Sequence, residues 1–505
     1  MTSTKIRVAV IGAGAAGLCC ARHLLSQPQT FDSPVLFEMS GGLGGTWVYS
    51  EGEANIHSSM YRDLRTNLPK EVMAFPDFPF DSSHPSFIHH TDVLRYLEEY
   101  ADRFCIQPHI KFNCRVVSVL PVLGEGSNDK VPWNVTSYTK GDKGPVTQRY
   151  DAVMVCVGHY SRPFIPDIPG IETFQGRVLH SHFYRYPEAF SSSSVVVLGA
   201  GPSGVDIATE LAPYAKQVTL SHKGPPFNWT LPDNMAFAPP VVRATPHILI
   251  CEDGTHLKAD TLIYCTGYKY HYPFLVYEEM QRILEGINES LKGIRSPLES
   301  EQGLETNGFQ ESETSYNKTE CLLKPEMAIL GLLEDDKLLL PDNGHGHLPP
   351  LYKHLFHARY PTMCFIGACK IVVPFPLFHC QALVFLSALE GKCKLPPSEQ
   401  MSFESKEELN NYLKAGLPAK YLHRMEKRQW EYNRWLAEMG GFEPLPPVLD
   451  KLYEACHTFR KSDPSLYRSV KFEIINTDEF KIMSYGQLSS HDKDTDLNSS
   501  TPSTI

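Results

Sequence analysis

Positive charge is in short supply. Lysine and arginine total 47 against 58 aspartates and glutamates, a formal net charge of −11, whereas a phosphate-binding surface needs the opposite balance. Nucleic acid is therefore not an expected partner. An apolar run of membrane length is also lacking. The most apolar stretch, 371–389, is interrupted by Pro374, Pro376, His379 and Gln381, which suits a buried strand, loop and helix and not a bilayer span. The first ten residues enter a strand without a signal-type apolar core, and residues 489–505 are polar, so neither secretion nor a tail anchor is expected. The 13 cysteines are odd in number and scattered without framework spacing, predicting reduced thiols and a cytoplasmic protein. Cys19-Cys20 is not expected to be a redox pair, because adjacent cysteines bridge only with strain. His345, His347, His354 and His357 bring imidazoles together without a carboxylate or thiolate at ligand spacing, so no metal site is expected there.

What is present is a repeated dinucleotide signature. At 505 residues with 42% hydrophobic content, two or three globular domains are expected. A β-branched run ending at Ile11 leads into Gly12-Ala13-Gly14-Ala15-Ala16-Gly17 and a helix; another ending at Leu198 leads into Gly199-Ala200-Gly201-Pro202-Ser203-Gly204 and a helix with Val205 and Asp206 in its opening turns. In such loops the first two glycines permit the turn and close approach to a pyrophosphate. The third packs helix on strand, and the helix N-terminus supplies N–H dipoles. The fold class expected is α/β, with two Rossmann-type dinucleotide-binding domains. After the first unit, a strand ends in Glu38, where a carboxylate accepts from a ribose 2′-hydroxyl and repels a 2′-phosphate; that site suits FAD or NAD. After the second, the strand tip reads Ser221-His222-Lys223. A hydroxyl and a cation there complement a 2′-phosphate and favour NADPH.

The organisation expected is a first part of the FAD domain over 1–165 and an NADPH domain over 166–330. A returning part of the FAD domain with a helical C-terminal region fills 331–484, and a disordered tail fills 485–505. Residues 285–318, rich in Ser, Glu, Asn and Gly, read as a mobile insertion.

Four further motifs narrow the reading: Gly41-Gly42-Leu43-Gly44-Gly45-Thr46-Trp47; Thr66-Asn67-Leu68-Pro69-Lys70-Glu71; the pattern F-x-G-x-x-x-H-x-x-x-Y at Phe174, Gly176, His180 and Tyr184; and Tyr264-Cys265-Thr266-Gly267-Tyr268. With these the chain resembles the flavin-containing monooxygenase family, nearly throughout to about residue 480, and within it the soluble alkaloid N-oxygenases and plant-type S-oxygenases. The resemblance implies a two-domain enzyme using FAD, NADPH and O2. NADPH reduces FAD, reduced flavin adds O2 as a C4a-hydroperoxide, and a soft nitrogen or sulfur nucleophile takes the distal oxygen. It also implies that Gly45, Thr46, Trp47, Asn67 and Leu68 line the flavin, with Gln381 reaching it from the returning half. Thr66 and Asn67 would approach the nicotinamide. Asn67 is the catalytic candidate, since its amide donates and accepts without being a strong acid; a turn cap before Pro69 is the bland alternative. Trp47 reads as a flavin-edge or core tryptophan, and His180 as a general base or an interdomain joint. The family often carries arginine where His222-Lys223 stands, which weakens the expected 2′-phosphate contact.

Competing activities are Baeyer–Villiger oxygenation of ketones, whose fingerprint ends in tryptophan, and plain NADPH oxidation releasing H2O2. A disulfide reductase would need a dithiol near the flavin, which 44–48 lacks. A homodimer is compatible with the sequence and not specified by it.

Overall fold

The computed structural model describes residues 5–51, 58–123, 130–224, 227, 231–275, 287, 348, 351–462 and 466–484. Almost all of 285–318, together with His345, His347 and the tail from 485, lies outside the described residues.

The first glycine unit forms β1 (Val8–Ile11), α1 (Ala15–Leu25) and β2 (Val35–Phe37). Every residue of β1 is buried, as a parallel strand covered on both faces requires. Two helices follow, α2 (Lys70–Met73) and α3 (His90–Arg103). α3 buries Val93, Tyr96, Leu97, Tyr100 and Ala101, a stripe at three- and four-residue spacing that marks one helix face. Next come β3 (Ile110–Lys111), the antiparallel β4 (Cys114–Pro121), β5 (Trp133–Thr139) and β6 (Val146–Tyr150), and the buried β7 (Ala152–Val155).

A short strand, β8 (Arg162–Pro163), leads to β9 (Arg177–His180) and to the second glycine unit, β10 (Ser194–Leu198), α4 (Pro202–Leu211) and β11 (Gln217–Ser221). β12 (Met235–Ala238) is followed by an antiparallel trio, β13 (Val241–Ala244), β14 (Ile248–Cys251) and β15 (His256–Lys258), then by β16 (Thr261–Tyr264) and β17 (Tyr268–Lys269). The chain then re-enters the first sheet through β18 (Leu351–Tyr352), β19 (Phe356–His357) and β20 (Met363–Phe365).

Two sheets result. The first runs β18-β19-β20-β7-β1-β2-β3, parallel from β20 to β3. The second runs β12-β11-β10-β16-β9 and is parallel throughout. In each, the glycine-turn strand has a neighbour on either side reached by connections of opposite direction, so both loops sit at a topological switch point. After β7 the chain passes through β8, which pairs antiparallel with β17, so the segments leaving the first sheet and leaving the second lie side by side.

The C-terminal helices are α5 (Pro374–Leu389), α6 (Ser398–Lys414), α7 (Arg428–Gly440) and α8 (Val448–Ser462). α1 and α5 share the core cluster that includes Cys20, Phe356, Leu377, Phe385 and Leu436 of α7. The helical pattern expected onward from there gives way to a hairpin, β21 (Val470–Ile474) and β22 (Phe480–Ser484). Val470, Phe472 and Ile474 alternate with Lys471 and Glu473, a period of two, and Phe472 is buried against Phe87.

Candidate active site

The two glycine loops are built alike, down to what their missing side chains avoid. Gly12 (φ +103°) and Gly199 (φ +109°) are left-handed, and a Cβ on either would meet the carbonyl oxygen of Cys156 at 2.6 Å or of Cys265 at 2.5 Å. A Cβ on Gly17 or Gly204 would lie 1.8 Å from the carbonyl oxygen of Gly12 or Gly199. Those glycines serve the fold itself. Gly201 differs: a Cβ there would meet nothing within 4 Å, at an ordinary negative φ of −71°. Both helices begin at a glycine N-cap with no side-chain cap and no acid in the first turn. Their first N–H groups and positive dipole ends thus remain available to an anion. Two pyrophosphates fit this donor set.

Glu38 is 7% exposed and reaches back to the first loop. Its Oε2 accepts from the Ala13 N–H at 2.9 Å, and Oε1 from the N–H and hydroxyl of Ser40 at 2.8 and 2.7 Å. A carboxylate so held keeps lone pairs for ribose hydroxyls, which fits an FAD adenosine. The second glycine stretch meets the same loop: Gly44 N–H donates to the Ala13 carbonyl at 3.0 Å, and a Cβ on Gly45 would lie 3.1 Å from Gly14 Cα. Trp47, in the short 3-10 turn Gly45–Trp47 with Thr46, packs edge-on against Phe375 at 6.4 Å.

The tip of β11 separates the three residues expected there. Lys223 is exposed. His222 stacks on Phe227 at 4.9 Å with its Nδ1 on the Lys223 carbonyl. Ser221 is fully buried; its hydroxyl donates to Pro239 O at 2.7 Å and accepts from Val241 N–H at 3.0 Å. It ties the end of β11 to the connection between β12 and β13.

Asn67 is half-buried and its amide makes no hydrogen bond among the described residues; α2, whose N-cap is Pro69, has no side-chain cap. Its neighbours are engaged within the protein. Thr66 is 3% exposed, and its hydroxyl accepts from Ile88 N–H at 3.2 Å. Leu68 packs into the cluster of Val72, Phe87 and Trp430. Gln381 is fully buried, with Oε1 accepting from Gly367 N–H at 2.9 Å and Nε2 donating to Tyr432 at 3.2 Å. It holds the turn after β20. Asp206 accepts from Arg468 and from the Tyr61 hydroxyl, one on each oxygen.

The long fingerprint is a joint. Phe174 folds over Gly176, where a Cβ would lie 2.5 Å from its ring. His180 accepts from His182 N–H at Nδ1 (3.1 Å), which leaves Nε2–H to donate to Gly267 O (3.0 Å) in the turn between β16 and β17. Burial pushes its pKa down to about 4, so it is neutral with both nitrogens engaged, and the general-base option falls away. Tyr184 donates to Glu210 Oε2 at 2.9 Å.

Two arginines were not singled out from the sequence. Arg185 donates to the carbonyls of Ser50, Ser58, His182 and Tyr184, and Arg468 binds the Arg65–Thr66 backbone. The position of Arg185 directly after the fingerprint was an available signal; nothing in the sequence marks Arg468.

The model of a family described as Flavin-binding monooxygenase-like matches residues 5–232. Flavin-containing monooxygenase FMO GS-OX-like 4 of Arabidopsis thaliana is 32% identical over 491 residues, covering 91% of this chain and 93% of its own length. The solved structure of S-allyl-L-cysteine S-oxygenase from Allium sativum matches with a TM-score of 0.73 at 30% identity, over 93% of this chain and 96% of that one. Tmm from Pelagibacter sp. strain HTCC7211 matches at 0.68 and 25% identity, over 92% and 93%. Among the described residues no helix is long and apolar enough to cross a membrane. The doubled Rossmann fold with its two anion-ready helices is that of these relatives, and the chain belongs to the flavin-containing monooxygenase family, FAD- and NADPH-dependent enzymes that oxygenate small molecules with O2.

Proposed function

We propose that this enzyme places one oxygen atom on a soft heteroatom, a thioether sulfur first and a tertiary amine nitrogen second. The sulfur preference is supported by likeness to an S-oxygenase at 30% identity over nearly the whole chain. The observation that carries the site reading is the unengaged amide of Asn67 on a segment strapped to α4, together with the N-termini of α1 and α4, both free of side-chain caps and of first-turn acids.

FAD reduced by NADPH supplies the oxygen activation when bound. The protein's part is binding, orientation and exclusion of water. The Gly12–Gly17 loop and Glu38 would hold the FAD pyrophosphate and ribose, with Gly45, Thr46 and Trp47 beside them. Gly199, Gly201, Pro202, Ser203 and Gly204 would receive the NADPH pyrophosphate, and Lys223 its 2′-phosphate. Asn67 donates and accepts at the reacting centre without delivering a proton as a strong acid would. Neutral His180 and the buried Thr66, Ser221 and Gln381 serve the frame. The chain divides as 1–165 and 331–484 for FAD and 166–330 for NADPH. A cytoplasmic setting fits the 12 described cysteines, all of them free thiols; a homodimer is the assembly to test by sedimentation.

The deciding experiment incubates the FAD-loaded enzyme with NADPH, O2 and methyl phenyl sulfide, trimethylamine or cyclohexanone, measuring oxygenated product, NADPH loss and H2O2. Sulfoxide in excess of the other products supports the proposal. Equal NADPH loss with H2O2 alone, or lactone as the main product, refutes it. Asn67→Ala is expected to keep FAD and lose product by at least about tenfold; undiminished product would end the role given to Asn67.

A further inference from the structure

Arg468 lies far along the chain from both glycine units, yet it ties the Arg65–Thr66 segment to the helix of the second. Its Nε donates to the Thr66 carbonyl at 3.1 Å and one terminal nitrogen to the Arg65 carbonyl at 3.3 Å. The other terminal nitrogen donates to Asp206 Oδ1 at 2.6 Å, and the second oxygen of Asp206 accepts from the Tyr61 hydroxyl. A planar fork of fixed geometry therefore spans from the residue before Asn67 to the fifth residue of α4. Both side chains of the ion pair are mostly buried, at 21% and 23% exposure, so solvent and salt screen it less than a surface pair.

The arginine is presented from a firm base. Tyr467 is 5% exposed and packs edge-on to Phe87 at 5.2 Å, in the cluster that also holds Phe472 and Trp430. Phe472 N–H donates to Ser86 Oγ at 2.8 Å. On the other side, Leu64 packs into the core of the second sheet while Leu68 packs with Phe87. The segment carrying Asn67 thus runs between two cores, and Arg468 ties it at mid-length to the helix of the second glycine unit.

We infer that Arg468 is a positioning residue: it sets the placement of Asn67 relative to α4, and thereby decides how much of the NADPH consumed yields oxygenated product and how much H2O2. The inference rests on the proposed reading of Asn67 and of the α4 N-terminus as one cleft. A lysine at 468 has a single nitrogen in place of the fork and could not make all three bonds in this geometry.

The test compares Arg468→Ala, Arg468→Lys, Asp206→Asn, the double variant Arg468→Ala/Asp206→Asn and Asn67→Ala, each FAD-loaded and checked by flavin absorbance and thermal melting. NADPH and methyl phenyl sulfide are supplied, and sulfoxide, H2O2 and the KM for NADPH are read. At parental flavin content, Arg468→Ala is expected to raise the KM for NADPH about tenfold and the H2O2 share severalfold. Arg468→Lys should recover only part of both. Asp206→Asn should move both the same way, and the double variant should be no worse than the stronger single, since one interaction is being removed twice. Parental KM and H2O2 share in Arg468→Ala, or effects that multiply in the double variant, overturn the inference. If Arg468→Ala does not fold, Asp206→Asn, nearly equal in volume to the parent, decides the matter on the same two readouts. Asn67→Ala separates the layers. Parental product there with a raised KM and H2O2 share in Arg468→Ala sinks the Asn67 reading and leaves the strap acting through α4. Lost product there with a parental Arg468→Ala sinks the strap alone.

Discussion

Lys223 and Glu210 are single charges whose surroundings give them different work. Lys223 stands exposed at the tip of β11, the place where a ribose phosphate would come within reach of an ammonium. Lys223→Ala is expected to raise the KM for NADPH about tenfold and leave that for NADH nearly unchanged; steady-state kinetics with both nucleotides decides it, and parallel changes would refute the assignment. Glu210 lies one turn beyond Asp206, takes the Tyr184 hydroxyl, and has an Oε1 that is buried without a partner. Burial pushes its carboxyl up to about 7, with the Tyr184 hydrogen bond opposing. Because its folded value lies above the unfolded carboxyl value of about 4.3, its contribution to stability is complete below that value and is lost as pH rises through about 7. Glu210→Gln, neutral throughout, should therefore melt higher than the parent by a margin that grows between about pH 5 and pH 8. A margin independent of pH would show that Glu210 is ionised in the fold. At this scale the places of Glu38 and Lys223 at two strand tips were legible from residue type and spacing, and Asn67 was singled out only through the resemblance. The fates of Thr66, Ser221 and Gln381 were not, since spacing cannot tell a free hydroxyl or amide from one already hydrogen-bonded inside the protein.

The glycine-loop elements separate folding from binding. Gly17 is the third glycine of its motif and Gly201 the second of the other: a Cβ at Gly17 would sit 1.8 Å from a backbone oxygen and one at Gly201 would meet nothing within 4 Å. Gly17→Ala is expected to disrupt the β1–α1 turn and abolish FAD retention. Gly201→Ala should melt as the parent does, keep its flavin, and raise the KM for NADPH by about tenfold or more. That combination, read by flavin absorbance, melting and kinetics, is the signature of a glycine kept open for a ligand. A parental KM would place the pyrophosphate elsewhere. The strands and helices of both units were readable because local periodicity and turn chemistry coincide there. The β21–β22 hairpin was missed because its alternation spans only five residues after a long helical stretch, and short runs of that kind are ambiguous by periodicity alone.

The whole molecule is built on two mainly parallel sheets joined by the β8–β17 crossing and strapped by arginines. Binding of FAD to the folded first sheet, and not to the unfolded chain, should raise stability by about 2.7 kcal/mol at a hundredfold excess over its dissociation constant. Removing the flavin should lower the melting temperature and re-addition restore it. Melting indifferent to FAD would contradict a site built on β1 and α1. The primary structure by itself determined the doubled dinucleotide fold, because that depends on glycines, β-branched runs and a terminal acid acting over a dozen or two residues; the cofactor pair and the family were legible only through the resemblance that the longer motifs carry. Tertiary structure alone decided what meets across the cleft. Arg185 reaches back to Ser50 and Ser58, and Arg468 to Thr66 and Asp206. A guanidinium finds its carbonyls and carboxylate only after distant segments have packed, and no local pattern records where they will lie.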